Sequence, residues 1–228
     1  MIAVIPCKTF SERIPGKNLK LLNGRPLVDY TIQAALSSGM FDTIWVTSDS
    51  YDFLKLLPKD VDGHLRPDGL STPTSTVVDV VKDLLGVYTT TERHNFGSLP
   101  ESFAVLLCSS PLRTVDDIQQ AVKLYERSDT ESVMSVVEMS EHPEHALKIC
   151  EKGKLHPCSW ATIDQKRQSF DKKYIHDGSI IICNTAAFLG VDDFYDLDTV
   201  PIETPRERAV DINVMADWNY CEYLMGEQ

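Results

Sequence analysis

Three cations stand close together near the N-terminus, in the stretch "IPCKTFSERIPGKN" from Ile5 to Asn18. Lys8, Arg13 and Lys17 supply the charge, and a Pro-Gly pair bends the chain between the last two. A loop of this kind, placed directly after an apolar run, can bind phosphate groups through fixed cations and backbone N–H groups. Neither "GxxxxGK[ST]" nor "GxGxxG" is present, so the two common phosphate-loop motifs are excluded. The alternative is a solvated basic loop with no ligand.

The charge of the whole chain makes this cluster stand out. The formal net charge of the 228 residues is −12, with 43% hydrophobic and 25% charged residues. Such an acidic surface argues against nucleic-acid binding and against anionic membranes, because both present phosphate. No apolar stretch approaches 18 residues and no signal-peptide pattern begins the chain. The six cysteines lack paired spacing, which indicates buried thiols in a reducing cytoplasm.

Apolar runs and amphipathic segments alternate along most of the chain. "IAVIPC", "TIWVTSD", "SFAVLLCSS" and "ESVMSVVEM" have the composition of strands that are covered on both faces. Helices are predicted after Pro26, which we place in the first turn, and after Thr114, which we interpret as an N-cap. Gly39 is predicted to end the first of these helices. The pattern predicts a mostly parallel sheet with helices on both faces.

One part of the chain departs from this alternation of strands and helices. The segment from about 140 to 174 has no clean period, and we interpret it as an inserted lobe within a single domain of 228 residues. Within it, "KICEKGKLHPC" predicts a hairpin that turns at Lys152-Gly153.

Near the C-terminus, "ERAV" reads as a strand that precedes the last helix. Because ligands of open α/β sheets bind at the carboxyl ends of strands, the cationic loop, Asp49 and Asp211 are predicted to share one edge.

The motifs, taken in order, resemble those of the acylneuraminate cytidylyltransferases, which make CMP-sialic acid and related CMP-nonulosonates. The N-terminal stretch resembles the family's "IPAR…S…P-x-KN" signature, and the resemblance covers nearly the whole chain. Four later stretches are similar to further family motifs: "LRPDGLSTPTST", "LLCSSPLRTVDDI", "KRQSFDKKYIHDGSIII" and "AVDINVMADW". The resemblance implies a Rossmann-like three-layer α/β/α nucleotidyltransferase fold with a small dimerisation lobe.

The family resemblance also implies site residues. Lys8, Ser11, Arg13, Lys17, Asn18 and Arg66 would bind the nucleotide and its phosphates, with Lys17 and Asp211 as the catalytic pair. Asp211 and Asn213 would hold Mg²⁺ or Mn²⁺, and Arg167 and Asp177 would contact the sugar, with Arg167 on its carboxylate. Asp49 is interpreted as a helix cap, with metal binding as the alternative.

Several of these positions depart from the family pattern. Lys8 replaces an arginine, which keeps the charge but loses the bidentate geometry. Asp177 replaces an asparagine, and Leu107 or Cys108 stands where a glutamine is common. Asn213 replaces the second aspartate of "DID", which weakens the metal site because Mg²⁺ favours carboxylate oxygen.

The function implied is transfer of CMP from CTP to an acidic sugar, with release of pyrophosphate. Two alternatives stay open: CMP transfer to a 3-deoxy-octulosonate or a phosphonate, and a catalytically weak nucleotide-sugar binding protein. The chain is expected to form a homodimer in which the lobe buries Ile149, Trp160 and Ile163 against a partner.

Overall fold

The computed structural model describes residues 1–72, 74–90, 98–158 and 170–226. Its centre is a seven-stranded sheet with the strand order β11-β7-β10-β6-β1-β4-β5. Two small two-stranded sheets, β2-β3 and β8-β9, stand apart from it. The strands are β1 Ile2–Pro6, β2 Leu21–Leu22, β3 Arg25–Pro26, β4 Thr43–Ser48, β5 Asp62–Leu65, β6 Ser102–Leu106, β7 Ser132–Glu138, β8 Leu147–Ile149, β9 Leu155–Pro157, β10 Tyr174–Asn184 and β11 Thr199–Glu203.

The sheet is mostly parallel, as predicted. β1 pairs in parallel with β4 on one side and β6 on the other, with Ile2 opposite Thr43 and Phe103. Side chains on both faces of these strands are buried, which explains their nearly continuous apolar sequences. β10 is the exception, since it runs antiparallel to both neighbours, β6 and β7.

Helices cover both faces of the sheet and complete the predicted three layers. Val28 and Ile32 of one helix and Ala121 of another pack on one face, while Val81 and Leu84 of a third pack on the other. A third cluster lies under the loops that follow β1 and β6, and it includes Trp218. The helices are α1 Leu27–Ser38, α2 Tyr51–Leu54, α3 Val77–Tyr88, α4 Val115–Arg127, α5 Thr185–Leu189 and α6 Met215–Gly226.

Local signals account for the helix ends. The Thr114 hydroxyl accepts from the Asp117 amide, and the Asp117 carboxylate accepts from the Thr114 amide, so the predicted N-cap is confirmed as a capping box. Gly39 ends α1 in the left-handed region with φ 64°. Pro26 lies one position earlier than predicted, at the N-cap of α1 rather than in its first turn.

The strand predicted at "ERAV" is wrong. Residues 205–209 form a turn in which the Ala209 amide donates to the Pro205 carbonyl, and the strand before it, Thr199–Glu203, was missed. This strand pairs only with β7, at the sheet edge, where Pro201 can be tolerated because one side needs no hydrogen-bond donor. The internal proline made the segment look unlike a strand.

The hairpin predicted within the lobe is confirmed. β8 and β9 are antiparallel, Leu147 lies opposite Pro157, and Gly153 turns the chain with φ 71°. Trp160 and Ile163 lie outside the described residues, whereas Ile149 is described and exposed. Among the described residues, no helix has the length and apolar character needed to cross a membrane.

Candidate functional site

The loop after β1 is fixed at its start by Asp49. The Asp49 Oδ1 atom accepts from the Thr9 amide at 2.7 Å and from the Thr9 hydroxyl at 2.9 Å. Burial raises the pKa of the Asp49 carboxyl, but the hydrogen bonds from Thr9 and the charge of Arg66 outweigh it and hold that pKa below its usual range. The interpretation of Asp49 as a helix cap is wrong, because Ser50 caps α2 by accepting from the Phe53 amide.

The end of the same loop is a tight turn that presents Lys17 and Asn18. Gly16 adopts φ 64°, and the Lys17 amide donates to the Ile14 carbonyl at 3.0 Å. The Asn18 side chain donates to the Lys8 carbonyl at 2.8 Å and so ties the end of the loop to its beginning. Lys8 and Lys17 therefore lie on one rigid closed loop.

Lys17 is a partly buried cation. Its Nζ donates to the Ile212 carbonyl at 2.6 Å. Burial lowers the pKa of the Lys17 ammonium, and the nearby carboxylate of Asp211 only partly opposes that effect. A partly buried ammonium that lines a cavity attracts an anionic ligand.

Arg66 is buried and held in place by β4. Its Nε donates to the Thr47 hydroxyl at 3.1 Å, and its Nη2 donates to the Thr47 carbonyl at 2.9 Å. The Nδ1 atom of His64 is hydrogen-bonded to the same Thr47 hydroxyl at 2.9 Å. The Nε2 atom of His64 lies 3.2 Å from the Asp83 carboxylate. Burial lowers the pKa of His64. Thr47, His64 and Asp83 carry no motif that would have marked them in the sequence.

Lys8, Lys17, Asn18 and Arg66 line a cavity of about 220 Å³ at the carboxyl ends of β1, β5 and β6. Four of the six predicted nucleotide-binding residues line it. Lys8 also donates from its Nζ to the Thr72 carbonyl at 3.0 Å. The lining residues are Pro6, Lys8, Lys17, Asn18, Arg66, Ser75, Thr76, Val77, Val80, Leu107, Cys108 and Ser109.

The other two predicted nucleotide-binding residues do not line this cavity. Ser11 lies half-buried in the loop, and Arg13 is exposed. The Arg13 Nη2 atom donates to the Asn213 Oδ1 atom at 3.0 Å, which places Arg13 beside the predicted metal ligands.

Asp211 and Asn213 are in direct contact. The Asn213 Nδ2 atom donates to the Asp211 Oδ2 atom at 2.6 Å. Gly178, at φ 74°, lies against Asp211 so closely that an added Cβ would be 3.4 Å from the Asp211 Cγ atom. Asp217 caps the start of α6 through the amides of Asn213 and Val214, which fixes the backbone of the segment.

The donor set fits a hard divalent cation. One carboxylate and one amide oxygen are donors that Mg²⁺ or Mn²⁺ accepts, with phosphate oxygens and waters as further ligands. Asn213 has its oxygen on Arg13 here, so a direct bond to a metal would require Arg13 to release it. Within the described ranges no group of three or more His, Cys, Asp or Glu side chains could hold a metal ion.

Asp177 lies beneath Gly178 and is buried. Its Oδ1 atom accepts from the Ser135 hydroxyl at 2.5 Å and from the Ser179 amide at 2.9 Å. Its backbone carbonyl accepts from the Ser110 hydroxyl at 3.3 Å. The carboxylate is therefore part of the support of the Gly178 turn, and its predicted contact with the sugar stays a prediction. Arg167 lies outside the described residues.

Arg113, from the "SPLR" stretch, is a structural residue that the sequence analysis missed. It is fully buried, its Nε donates to the Ser179 carbonyl at 3.0 Å, and its Nη2 donates to the Leu107 carbonyl. Burial lowers the pKa of Arg113 to about 10. Arg113 thus joins the loop after β6 to β10.

A second cavity, of about 560 Å³, lies on the side of Asp211 that faces β7 and α6. Arg206 is the only lysine or arginine among the described residues that line it. Its Nη1 atom donates to the Glu138 carbonyl at 3.3 Å. The lining residues are Val137, Arg206, Glu207, Ala209, Val210, Asp211, Asp217 and Tyr220.

Comparison with known proteins decides the family. The family model described as "Cytidylyltransferase" matches residues 2–219. The chain belongs to the cytidylyltransferase family. It is 29% identical over 220 residues to the N-acylneuraminate cytidylyltransferase of Streptococcus agalactiae serotype V, which covers 95% of this chain and 51% of that protein. The chain therefore spans about half the length of that relative.

Another cytidylyltransferase relative matches over almost its whole length. The CMP-N,N'-diacetyllegionaminic acid synthase of Legionella pneumophila is 30% identical over 228 residues, which cover 99% of this chain and 96% of that protein. The pseudaminic acid cytidylyltransferase of Campylobacter jejuni is 22% identical over 225 residues, which cover 98% and 95%.

Solved structures agree with the cytidylyltransferase fold. The structure of CMP:2-keto-3-deoxy-manno-octonic acid synthetase complexed with CTP superposes with a TM-score of 0.68 at 13% identity, over 99% of this chain and 98% of that one. The Francisella tularensis 2-C-methyl-D-erythritol 4-phosphate cytidylyltransferase gives 0.67 at 14% identity, over 98% of each chain. At these identities the likeness shows the fold, and the predicted Rossmann-like α/β fold is confirmed.

Proposed function

We propose that this chain transfers CMP from CTP to an acidic sugar of the nonulosonate class and releases pyrophosphate. The observation that carries the proposal is the cation-lined cavity at the carboxyl ends of β1, β5 and β6, with Asp211 close to Lys17 beside it. The chain's net charge of −12 makes a pocket with Lys8, Lys17 and Arg66 unusual on this protein. Nucleotide-sugar synthesis is also what the names of its relatives describe.

The triphosphate is assigned to the loop after β1. Lys8, Lys17 and Arg66 would neutralise its charge, and Asn18 would keep the loop closed around it. Arg66 is held by two hydrogen bonds to Thr47, so its orientation does not depend on the ligand. Preorganised cations of this kind stabilise the charge that spreads over the phosphates in the transition state. Ser11 and Arg13, which lie outside the cavity, would have to approach when the nucleotide binds.

A divalent cation, Mg²⁺ or Mn²⁺, is assigned to Asp211 with Asn213 as a weaker second ligand. Held by these two side chains, the ion would supply positive charge that offsets the charge of the phosphates. The protein's own part is to hold the Asp211 carboxylate still, through the amide of Asn213 and the close approach of Gly178.

The acceptor is assigned to the second cavity, because Asp211 lines it and also lies close to Lys17. Arg206 would pair with the acceptor carboxylate there, since a guanidinium matches a carboxylate bidentately. Arg167 and Asp177 remain further candidates for the sugar. In-line transfer would require the anomeric oxygen of the acceptor to approach the α-phosphate from the side opposite the leaving pyrophosphate.

The chemistry then follows from position and charge. The anomeric hydroxyl gives up its proton to solvent as its oxygen attacks the α-phosphorus, a new P–O bond forms, and the bond to the pyrophosphate oxygen breaks in line. The side chains hold both substrates in this geometry and offset the repulsion between two anions. No histidine lines either cavity within the described part of the chain.

We further propose that the chain acts as a homodimer through the hairpin β8-β9. Leu147, Ile149 and Leu155 of this hairpin are 53%, 74% and 65% exposed, which is costly for three large apolar side chains in one small element. A second copy would cover them. Because the six cysteines are free thiols, we place the protein in the reducing cytoplasm.

The test is pyrophosphate release, measured for each nucleoside triphosphate against a panel of acceptors with Mg²⁺. Nonulosonates, a 3-deoxy-octulosonate and 2-carbon phosphonates form the panel, and Lys17→Ala is the control that removes one phosphate contact. Release that requires both CTP and a nonulosonate supports the proposal. Release only with the octulosonate or a phosphonate favours the alternative acceptors, and CTP binding without turnover favours a weak nucleotide-sugar binding protein.

A further inference from the structure

Two buried cysteines lie side by side at the floor of the nucleotide cavity. Cys7 follows β1 directly, and Cys108 comes two residues after β6, the parallel neighbour of β1. The ladder between these strands pairs Ile2 with Phe103 and Val4 with Val105, and the same offset continued past the strand ends pairs Cys7 with Cys108.

The contacts agree with this register. The Cys108 thiol donates to the Pro6 carbonyl at 3.5 Å. The hydrogen bond between the two thiols, together with burial, raises the pKa of Cys7. Neighbouring strands lie roughly 4.8 Å apart, and this spacing falls within the roughly 4.4–6.8 Å between Cα atoms that a disulfide spans.

The two thiols differ in access. Cys7 is 0% exposed and does not line the cavity, whereas Cys108 is 3% exposed and does line it. In the part of the chain that the structure describes, the nucleotide cavity is the opening through which a reagent can reach Cys108. Lys17 and Arg66 line the same cavity as Cys108, so their positive charges lie on the path of a reagent that approaches this thiol.

We propose that Cys7 and Cys108 are an oxidisable dithiol, and that their disulfide disables the nucleotide cavity. The identity of the nucleotide in this inference rests on the proposed function. The oxidant is a small disulfide: the Cys108 thiolate attacks one of its sulfurs and expels one thiolate, which leaves a mixed disulfide. The Cys7 thiolate then attacks the Cys108 sulfur, expels the second thiolate and closes the protein disulfide. Two electrons pass from the dithiol to the reagent, and its two thiolates take up the two protons.

Oxidation would change the cavity because the residues on both sides of each cysteine in the chain line it. The two sulfurs must close from a hydrogen-bond contact to roughly 2.05 Å. That movement breaks the Cys108 bond to the Pro6 carbonyl and shifts Lys8, the residue after Cys7. A bound nucleotide would cover Cys108 and so protect the dithiol from oxidation.

The experiment uses the full chain with Cys150→Ser and Cys158→Ser, because Cys158 is exposed, Cys150 partly so, and both would react with any disulfide. The protein is treated with hydroxyethyl disulfide with and without CTP, then denatured, alkylated and mapped by mass spectrometry. We expect a peptide that links Cys7 to Cys108, formed at least about tenfold more slowly when CTP saturates the protein. We also expect CTP affinity, measured by calorimetry, to fall at least about tenfold and to return with dithiothreitol.

Two variants of the same background serve as controls. Cys7→Ala removes the second thiol, so it should give only a mixed disulfide on Cys108 and no internal link. Cys183→Ala removes a buried thiol elsewhere in the sheet and should behave like its parent. The peptide that links Cys7 to Cys108 is detected in the parent protein, so the test of the disulfide does not depend on whether a control variant folds.

Complete alkylation of both cysteines after treatment would overturn the inference, and so would a linked protein with unchanged CTP affinity. Failure of the reduced protein to bind CTP would contradict the proposed function instead. In that case the peptide map would still decide whether the dithiol forms.

Discussion

Gly178 lies against both Ser110 and Asp211, and Gly178→Ala tests what this close packing does. Gly178 has φ 74°, and an added Cβ would be 3.2 Å from the Ser110 hydroxyl and 3.4 Å from the Asp211 Cγ atom. The left-handed conformation costs an alanine about 1–2 kcal/mol, part of which is offset by the lower entropy of the unfolded chain. Overpacking against the two neighbours adds about 1–3 kcal/mol. We expect a total loss of about 2–4 kcal/mol in the free energy of unfolding.

Gly153→Ala is a matched control, because Gly153 has φ 71° and nothing within 4 Å of its added Cβ. It should lose only about 1 kcal/mol, measured like the first variant by urea denaturation. If Asp211 holds the divalent cation, Gly178→Ala should also need more Mg²⁺ and lose at least about tenfold in kcat, or about 1.4 kcal/mol. Equal stability and equal Mg²⁺ titrations for the two variants would refute the reasoning.

Four further results are expected. Because burial lowers the pKa of Lys17, the alkaline fall of kcat/KM for CTP should occur at a lower pH than an ordinary lysine would give. Lys17→Arg should move this fall to higher pH. If the fall stays at the same pH in Lys17→Arg, another group causes it. Asn213→Asp should lower the Mg²⁺ concentration needed for half-maximal turnover, and an unmoved titration would place Asn213 away from the metal. Arg206→Gln should raise KM for the acceptor at least about tenfold with little change in KM for CTP, and an equal rise in both would remove Arg206 from the acceptor site. Burial lowers the pKa of His64, so the folded protein favours the neutral imidazole, and the stability that this contributes above pH 6.5 is lost as the pH falls. The free energy of unfolding, measured by urea denaturation, should therefore fall less between pH 7.5 and 5.5 in His64→Gln than in the parent.

The strands and helices could be predicted because their signals are local. An apolar run such as "IAVIPC" has few alternatives to a buried strand, and Thr114 with Asp117 identifies a helix start within four residues. The strand Thr199–Glu203 was missed for the same reason, since its local signal includes a proline and its edge position depends on the whole sheet.

The cationic part of the site was also predictable, because Lys8, Lys17 and Asn18 lie on one short loop. The supporting residues were not. Thr47 holds Arg66 from 19 residues away, and Ser135 reaches Asp177 across 42 residues. Such hydrogen bonds depend on strand order and register, which no local pattern encodes.

Asp49 illustrates the limit most clearly. Its position directly after a strand and two residues before the first residue of a short helix suggested a helix cap. The structure gives the cap to Ser50 and uses the carboxylate of Asp49 to hold Thr9, 40 residues earlier in the chain.

The central claim is that the cavity after β1 holds CTP for transfer of its α-phosphorus. The most direct test follows two radioactive labels in parallel, with CTP labelled at the α- or the γ-phosphate and incubated with Mg²⁺ and a nonulosonate. We predict that the α label appears in a sugar nucleotide and the γ label in pyrophosphate, in equal amounts. Release of the γ label as orthophosphate, or an α label that never joins the sugar, would contradict it.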